Sequence, residues 1–314
     1  MVKHNNLISF IIPCFNEELS VENAYDSLIR ETGKLKGFRF EFIFVDNKST
    51  DRTRDIITKL VGKDKRAAGI YLSRNFGPEA SAQAGYDHSQ GDAVIGFAAD
   101  LQDPPELIGK FIRKWQEGFP VVVGVYTKID DFQFTIFLRK LFYKIFKTIS
   151  NIDIPVNASG YGLMDRSVLN AIYSLPEKYR FFRGLRSWVG FNTCYITYER
   201  PKRRLGKSTY NILDYFKHAE RGVFGFSYLL LDMMVYLGFL LVLLSFLFIF
   251  IYIIISLLYG NPIKGAVTIL VAIVFFGGIQ ILAISIIGKY IQVIVEETKA
   301  RPTYIVEETI NVRK

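Results

Sequence analysis

Polar side chains of a few chemically useful types follow four short apolar runs. Leu7–Pro13 (LISFIIP) leads to Asn16 and Glu17, and Phe40–Val45 (FEFIFV) to Asp46 and Asn47. Gly69–Leu72 leads to Arg74 and Asn75, and Ala93–Ala98 to Asp100, Gln102 and Asp103. A carboxylate such as Asp46 can accept hydrogen bonds from a ribose or a base. Asp100, Gln102 and Asp103 offer hard oxygen ligands suited to Mg²⁺ or Mn²⁺. Such cations, held by few carboxylates, complete their shell with substrate phosphates. Taken singly, an Asp after a strand is more often a turn or cap residue. Asp51 in particular reads as an N-cap for a helix beginning near Arg52. Taken together, at successive strand ends, these residues read as one site.

The elements that must position them alternate. Helical spacing covers Val21–Leu35, Arg52–Gly62 and Pro78–Ser89, between the apolar runs. Strand–helix alternation predicts an α/β domain with a parallel, doubly wound, Rossmann-like sheet. In such sheets ligands bind outside the carboxyl ends of the strands. Several chemistries are excluded by missing motifs. No Gly-x-Gly-x-x-Gly follows the first strand, and Gly206-Lys207-Ser208 lacks the upstream glycine and strand of a phosphate loop. Only three His occur (His4, His88 and His218), which argues against a zinc site. No Gly-x-Ser-x-Gly nucleophile elbow is present.

The 314 residues amount to about two domains, and with 50% hydrophobic residues the chain is too apolar to be disordered. Two cysteines, Cys14 and Cys194, cannot form a disulfide framework and fit a reducing compartment or simple burial. A net charge of +9 favours a polyanionic partner: nucleotide phosphates, an anionic membrane surface or nucleic acid. The basic residues cluster near apolar segments without a recognition motif, so nucleic acid is not the expected partner.

Hydrophobicity divides the chain. Residues 1–228 read as the α/β domain, 229–290 as two membrane spans, and 291–314 as a tail. Met233–Tyr259 holds 27 residues without a charge, and Gly265–Gly288 another 24. Each exceeds the roughly 20 residues that cross a bilayer core. The spans are expected at about 233–259 and 265–287, joined by a five-residue turn, Gly260–Lys264, as a helical hairpin. Lys202, Arg203, Arg204, Lys207, Lys217 and Arg221 precede it, and Lys289, Lys299 and Arg301 follow it, against one Lys in the turn. The positive-inside rule places both flanks, and the α/β domain and tail with them, in the cytoplasm. The expected location is the inner (plasma) membrane, multi-pass. Ile8–Phe15 is too short, and too interrupted by Pro13, for a signal peptide. Phe134–Ile149 (FTIFLRKLFYKIFKTI) has apolar residues at helical spacing, with Lys140, Lys144 and Lys147 opposite. It reads as an amphipathic interfacial helix, or else as a helix packed on the domain's own core. Residues 210–226 repeat this character more weakly.

Several strings then resemble the family-two inverting glycosyltransferases. They are Pro13-Cys14-Phe15-Asn16-Glu17-Glu18, Phe44-Val45-Asp46-Asn47-Lys48-Ser49-Thr50-Asp51, Ser73-Arg74-Asn75-Phe76-Gly77 and Asp100-Leu101-Gln102-Asp103-Pro104-Pro105-Glu106. The likeness continues in Arg180–Leu185, Arg204–Tyr210, Ile287–Tyr290 and Arg301–Tyr304, and so covers almost the whole chain. Within that family it is similar to the polyprenyl-phosphate glycosyltransferases, the group of dolichyl-phosphate mannose synthase and bactoprenol glucosyltransferase. The resemblance implies a GT-A type domain, a nucleotide-sugar donor and a polyprenyl phosphate acceptor. Asp46 would hold the nucleoside with Pro13, Glu17, Arg74 and Asn75. Asp100 and Gln102 would hold Mg²⁺ or Mn²⁺ on the diphosphate. Asp100, Asp103, Arg204 and Lys207 would form the catalytic group, with Arg204 and Arg139 meeting the lipid phosphate.

Two departures stand out. The metal motif is usually Asp-x-Asp, but here it reads Ala98-Ala99-Asp100, with Asp103 as a partial replacement. Relatives often carry Asp and Arg where Gly160 and Gly162 stand, so no base or phosphate clamp transfers there. Asp165 is expected to support structure. UDP-glucose is the first expectation for the donor. UDP-N-acetylhexosamine is second, because small residues at 160 and 162 can admit a bulkier sugar. The lipid is expected to be undecaprenyl phosphate, and the product to serve cell-surface glycan decoration. Side-by-side hairpins suggest a homo-oligomer. Two alternatives remain: a catalytically silent membrane scaffold, and a processive polysaccharide synthase. The second would need more spans and a Gln-x-x-Arg-Trp motif, of which Arg183–Trp188 is only a poor copy.

Overall fold

The computed structural model describes residues 6–127, 157–178, 180–200, 229–259 and 266–312. The chain divides into two units. One holds the sheet and residues 300–314; the other holds 216–299.

The sheet unit begins with β1 (Asn6–Cys14), α1 (Val21–Thr32), β2 (Phe38–Asp46), α2 (Thr53–Lys63), β3 (Ala67–Leu72), α3 (Pro78–Asp87) and β4 (Ala93–Gly96). A 3-10 turn (Pro105–Leu107), α4 (Ile108–Gln116) and β5 (Val121–Tyr126) follow. Then come β6 (Ala158–Asp165), α5 (Arg166–Tyr173), α6 (Phe182–Trp188) and β7 (Thr193–Tyr198). The β1 run is apolar at nearly every position because both of its faces are covered. Ile8, Phe10 and Ile12 join a core with Val21, Ala24, Tyr25 and Leu28 of α1 and Phe111 and Trp115 of α4. Ile11 points to the other face, where α3 lies so close that a Cβ on Gly85 would sit 2.3 Å from its side chain.

The sheet is eight-stranded, in the order β7-β5-β6-β4-β1-β2-β3-β8, where β8 is Val306–Ile310. β1 pairs in parallel with β2 and β4, and β2 with β3. This is the doubly wound half that the alternation predicts. The wholly parallel sheet is corrected in two places. β6 runs antiparallel to β4 and β5, and β8 antiparallel to β3. A buried apolar run reports that both faces are covered, not which way the strand points. β8 had no apolar run to announce it. Its VEETI sequence suits an edge strand with exposed charges.

The second unit contains α7 (Leu229–Tyr259) and α8 (Ala266–Thr298), of 31 and 33 residues. Both are long and apolar enough to cross a membrane. Large apolar side chains lie open on them: Tyr236 is 74% exposed, Leu257 81% and Ile281 68%. The chain leaves the sheet unit, runs through these two helices and returns to pair with β3.

Asp64 pins the turn between α2 and β3. It accepts from the Tyr25 hydroxyl and from Arg66 Nε and Nη2, the last at 2.7 Å. The Arg66 hydrogen bonds hold its carboxyl well below the usual carboxylate range, and the Tyr25 bond lowers it further. A depressed carboxylate stabilises the fold above its unfolded pKa, and that gain is lost as pH falls through the folded value. Asp64→Asn is therefore expected to cost about 1 kcal/mol near neutral pH. The gap to wild type should close as pH falls below about 4 in denaturant titrations of the full chain.

Candidate active site

Parallel pairing sets Cys14 beside Asp46 and Asp46 beside Tyr71 in register. β4 joins the same edge, where the Phe97 amide donates to the Ile11 carbonyl at 2.9 Å. The strand ends carrying the predicted site residues are thus brought to one edge of the sheet.

The loops beyond β1, β2 and β3 are cross-linked. The Asn47 amide donates to the Cys14 carbonyl at 2.9 Å. Asn47 Nδ2 donates to Asn75 Oδ1 at 3.0 Å and to the Gly77 carbonyl at 3.2 Å, and its Oδ1 accepts from the Phe76 amide at 3.0 Å. Asn16 Oδ1 accepts from the Thr50 amide at 2.8 Å, and the Glu17 amide donates to Thr53 Oγ1 at 2.8 Å. Asp51 accepts from the Glu18 and Thr53 amides and ties the β1 loop to the start of α2, but the N-cap position expected for it falls to Arg52, one residue later. Three non-glycine residues in these and the neighbouring loop have left-handed backbones: Asn16 (φ 56°), Lys48 (φ 62°) and Leu101 (φ 56°). Such conformations cost about 1 kcal/mol or more for a residue with a Cβ and persist where the surroundings enforce them.

Asp46 is buried and accepts from the Ser49 amide at 3.2 Å. Burial pushes its carboxyl up, against the pull of Ser49 and Arg54. Glu17 accepts from Ser20 Oγ at 2.6 Å. Pro13 is half-buried in β1. Arg74 and Asn75 are exposed, and the Arg74 guanidinium stacks 4.0 Å over the Phe76 ring. Asn75 Oδ1 is committed to the loop, accepting from Asn47 and from the Gly77 amide.

Beyond β4, Asp100 Oδ1 accepts from the Gln102 amide at 3.1 Å, and both residues are half-buried. Asp103 is committed inward. It is 6% exposed and accepts from the Tyr198 hydroxyl at 2.7 Å. Burial raises its carboxyl to about 6, against that hydrogen bond and the nearby Arg200. Oδ1 of Asp103, expected as a partial replacement for the missing metal carboxylate, is thus engaged by Tyr198. From the same side, Tyr161 donates to the Pro104 carbonyl at 2.7 Å. Tyr161 and Tyr198 thus fasten the loop that bears Asp100. Nothing local in the sequence signals these contacts, which join residues 57 and 95 apart.

The donor set at Asp100 and Gln102 is one carboxylate and one amide. Hard oxygens of this type suit Mg²⁺ or Mn²⁺, and two of them would fill about a third of an octahedral shell, leaving the rest to phosphate oxygens or water. Among the described residues no group of three or more His, Cys, Asp or Glu can hold a metal. Cys14 and Cys194 are free thiols, as expected. Arg139, Arg204, Lys207 and the segments 134–149 and 210–226 lie outside the described residues.

Gly160 and Gly162 differ. A Cβ on Gly162 would lie 2.4 Å from the Val122 carbonyl oxygen, so close strand packing accounts for it. A Cβ on Gly160 would meet nothing within 4 Å. The idea that both glycines make room for a larger sugar therefore fails at 162. Asp165 accepts from the Ser167 amide at 2.9 Å and from Trp115 Nε1 at 2.7 Å, a supporting role as expected.

A mixed α/β sheet with polar loops gathered at the carboxyl edge of its parallel strands is the framework on which the family comparison rests. The sequence pattern of glycosyl transferase family 2 matches residues 9–173, and the chain belongs to that family. It is a glycosyltransferase with a GT-A type domain and two long apolar C-terminal helices. It is 37% identical over 301 residues to the bactoprenol glucosyl transferase of Shigella phage SfX, covering 96% of this chain and 98% of that one. It is 35% identical to the prophage bactoprenol glucosyl transferase homolog of Escherichia coli K12, with the same coverage. Among solved structures, glucosyl-3-phosphoglycerate synthase of Mycobacterium tuberculosis with UDP matches at 18% identity and a TM-score of 0.48, over 70% of this chain and 78% of that one.

The two glycines predict opposite outcomes. Gly162→Ala is expected to cost about 2 kcal/mol or more, because backbone must move to admit the methyl. Gly160→Ala is expected to leave the thermal midpoint unchanged. Thermal unfolding of both variants checks this.

Proposed function

We propose that this chain is a membrane-bound inverting glycosyltransferase that moves a sugar from a UDP-sugar to polyprenyl phosphate. The observation that carries the reading is the joining, in one chain, of a polar strand-end site to two exposed apolar helices of membrane-crossing length. That combination suits a water-soluble donor and a lipid acceptor. The near-full-length likeness to bactoprenol glucosyl transferases favours glucose and undecaprenyl phosphate. An N-acetylhexosamine is the second choice.

The spans form a hairpin with both ends on the side of the catalytic domain. Return of the chain to the sheet at β8 after α7 and α8 supports an even number of crossings. The excess of Lys and Arg at both flanks favours the cytoplasmic side of the plasma membrane. Packing of hairpins from several copies would give a homo-oligomer.

In this reading Asp46 accepts hydrogen bonds from the nucleoside, with Glu17 and the backbone at Pro13 beside it. Arg74 and Asn75 border the same strand-end loops. Asp100 and Gln102 hold Mg²⁺ or Mn²⁺ against the diphosphate. The cation, when bound, supplies charge neutralisation to the departing nucleoside diphosphate. Arg204 and Lys207 contribute positive charge to the same phosphates, and Arg139 and Arg204 meet the lipid phosphate. Asp103 acts through the loop by holding Tyr198. The acceptor is a phosphate monoester with a second pKa of about 6, so it is largely dianionic at neutral pH and needs little general-base help. An acceptor oxygen attacks the anomeric carbon in line as the bond to the diphosphate oxygen breaks. An α-linked donor then gives a β-linked polyprenyl-phosphate sugar.

The test is transfer from a panel of UDP- and GDP-sugars to undecaprenyl phosphate by purified full-length protein. Transfer of glucose is expected, abolished by EDTA and lowered at least about a hundredfold by Asp100→Ala. An α-linked product would exclude single displacement. Nucleotide binding without transfer to any acceptor would favour the silent scaffold.

A further inference from the structure

The returning tail does more than extend the sheet. Tyr71 of β3 opposes Glu308 of β8, but the next β3 residue, Leu72, opposes Val306. Glu307 is therefore the extra residue of a bulge. Bulges re-aim side chains that alternation would send to opposite faces. Here both carboxylates reach one cation. Arg54 Nη1 lies 3.4 Å from Glu307 Oε2, and Arg54 Nη2 lies 2.6 Å from Glu308 Oε2. Glu307 Oε2 also accepts from Lys48 Nζ at 2.7 Å.

The two cations belong to the turn and helix that frame Asp46. Lys48 is two residues beyond it and holds a left-handed backbone, φ 62°. Arg54 is in the first turn of α2 and lies 4.7 Å over the ring of Tyr71, the register partner of Asp46. Ser49, which donates its amide to Asp46, directly follows Lys48. A strained residue thus sits between the site carboxylate and the amide that it accepts from, and its side chain is tethered by a strand from the far end of the chain.

We propose that Glu307 is a positioning residue for the nucleotide donor: by tethering Lys48 it holds the left-handed turn that shapes the surroundings of Asp46. The donor site is then complete only when the tail beyond the apolar helices is docked on β3. This rests on the reading that Asp46 holds the nucleoside of a nucleotide sugar. A single half-exposed ion pair contributes little, but this one acts on a strained turn and shares its carboxylate with a second cation.

The experiment uses full-length protein in detergent, with UDP binding by calorimetry, steady-state transfer and thermal unfolding. Glu307→Gln is expected to raise the Kd for UDP and the KM for the donor about three- to fivefold, with kcat within about twofold. In a Lys48→Gly background the same change is expected to have no further effect on UDP binding, because glycine adopts φ > 0 without a tether. Glu308→Gln leaves Lys48 held and controls for tail docking. It is expected to lower the thermal midpoint as much as Glu307→Gln does, without the rise in KM. An unchanged Kd in Glu307→Gln, with UDP binding intact in wild type, overturns the proposal and leaves the donor reading standing. Equal KM rises in the two Glu variants, or an undiminished effect in the Lys48→Gly background, overturn it as well. Wild-type protein that binds no UDP overturns the donor reading and this proposal with it.

Discussion

Parallel pairing of β1, β2 and β3 levels Cys14, Asp46 and Tyr71 at one edge of the sheet. The site depends on that alignment. Buried apolar runs drive the pairing, and their hydrogen bonds satisfy a backbone that water cannot reach. At the edge the strands stop and polar loops begin. Asn47 ties these loops together, donating its amide to Cys14, its side-chain amide to Asn75 and Gly77, and accepting from Phe76.

This order is bought with strain. Asn16, Lys48 and Leu101 hold left-handed backbones in the loops after β1, β2 and β4. Each lies within two residues of a predicted site residue: Glu17, Asp46 or Asp100. Strain persists where neighbours over-determine a conformation. Asn16 is held through Ser49 and Thr50, and Lys48 by Glu307. The loop of Leu101 is held from behind by Tyr161 and Tyr198.

Residues 300–314 belong to the sheet unit although two long apolar helices separate them from the rest of it. β8 covers the β3 edge, and its charged residues suit an edge strand. The same strand brings carboxylates to Arg54 and Lys48. One short segment therefore both caps the sheet and ion-pairs with Lys48, two residues beyond Asp46.

Much of this was legible in residue order alone. Apolar runs ending in polar residues marked β1 to β4 and the edge they share, because burial on both faces demands continuous apolar strands. Two uncharged stretches marked the long helices, because no polar partner interrupts them. The family strings identified the class of enzyme, since their backbone and side-chain chemistry is local. Other features were decided by tertiary structure. The direction of β6 is not written in its apolar pattern, which is the same for either sense. The hydrogen bond that Asp103 accepts from Tyr198, 95 residues away, has no local signal. Gly162 looked like space for a sugar until the Val122 backbone filled it. The pairing of Val306–Ile310 with β3 spans more than 200 residues and rests on backbone hydrogen bonds and a bulge. Local composition determines which segments must be buried; which side chains meet depends on contacts between segments that the sequence holds far apart.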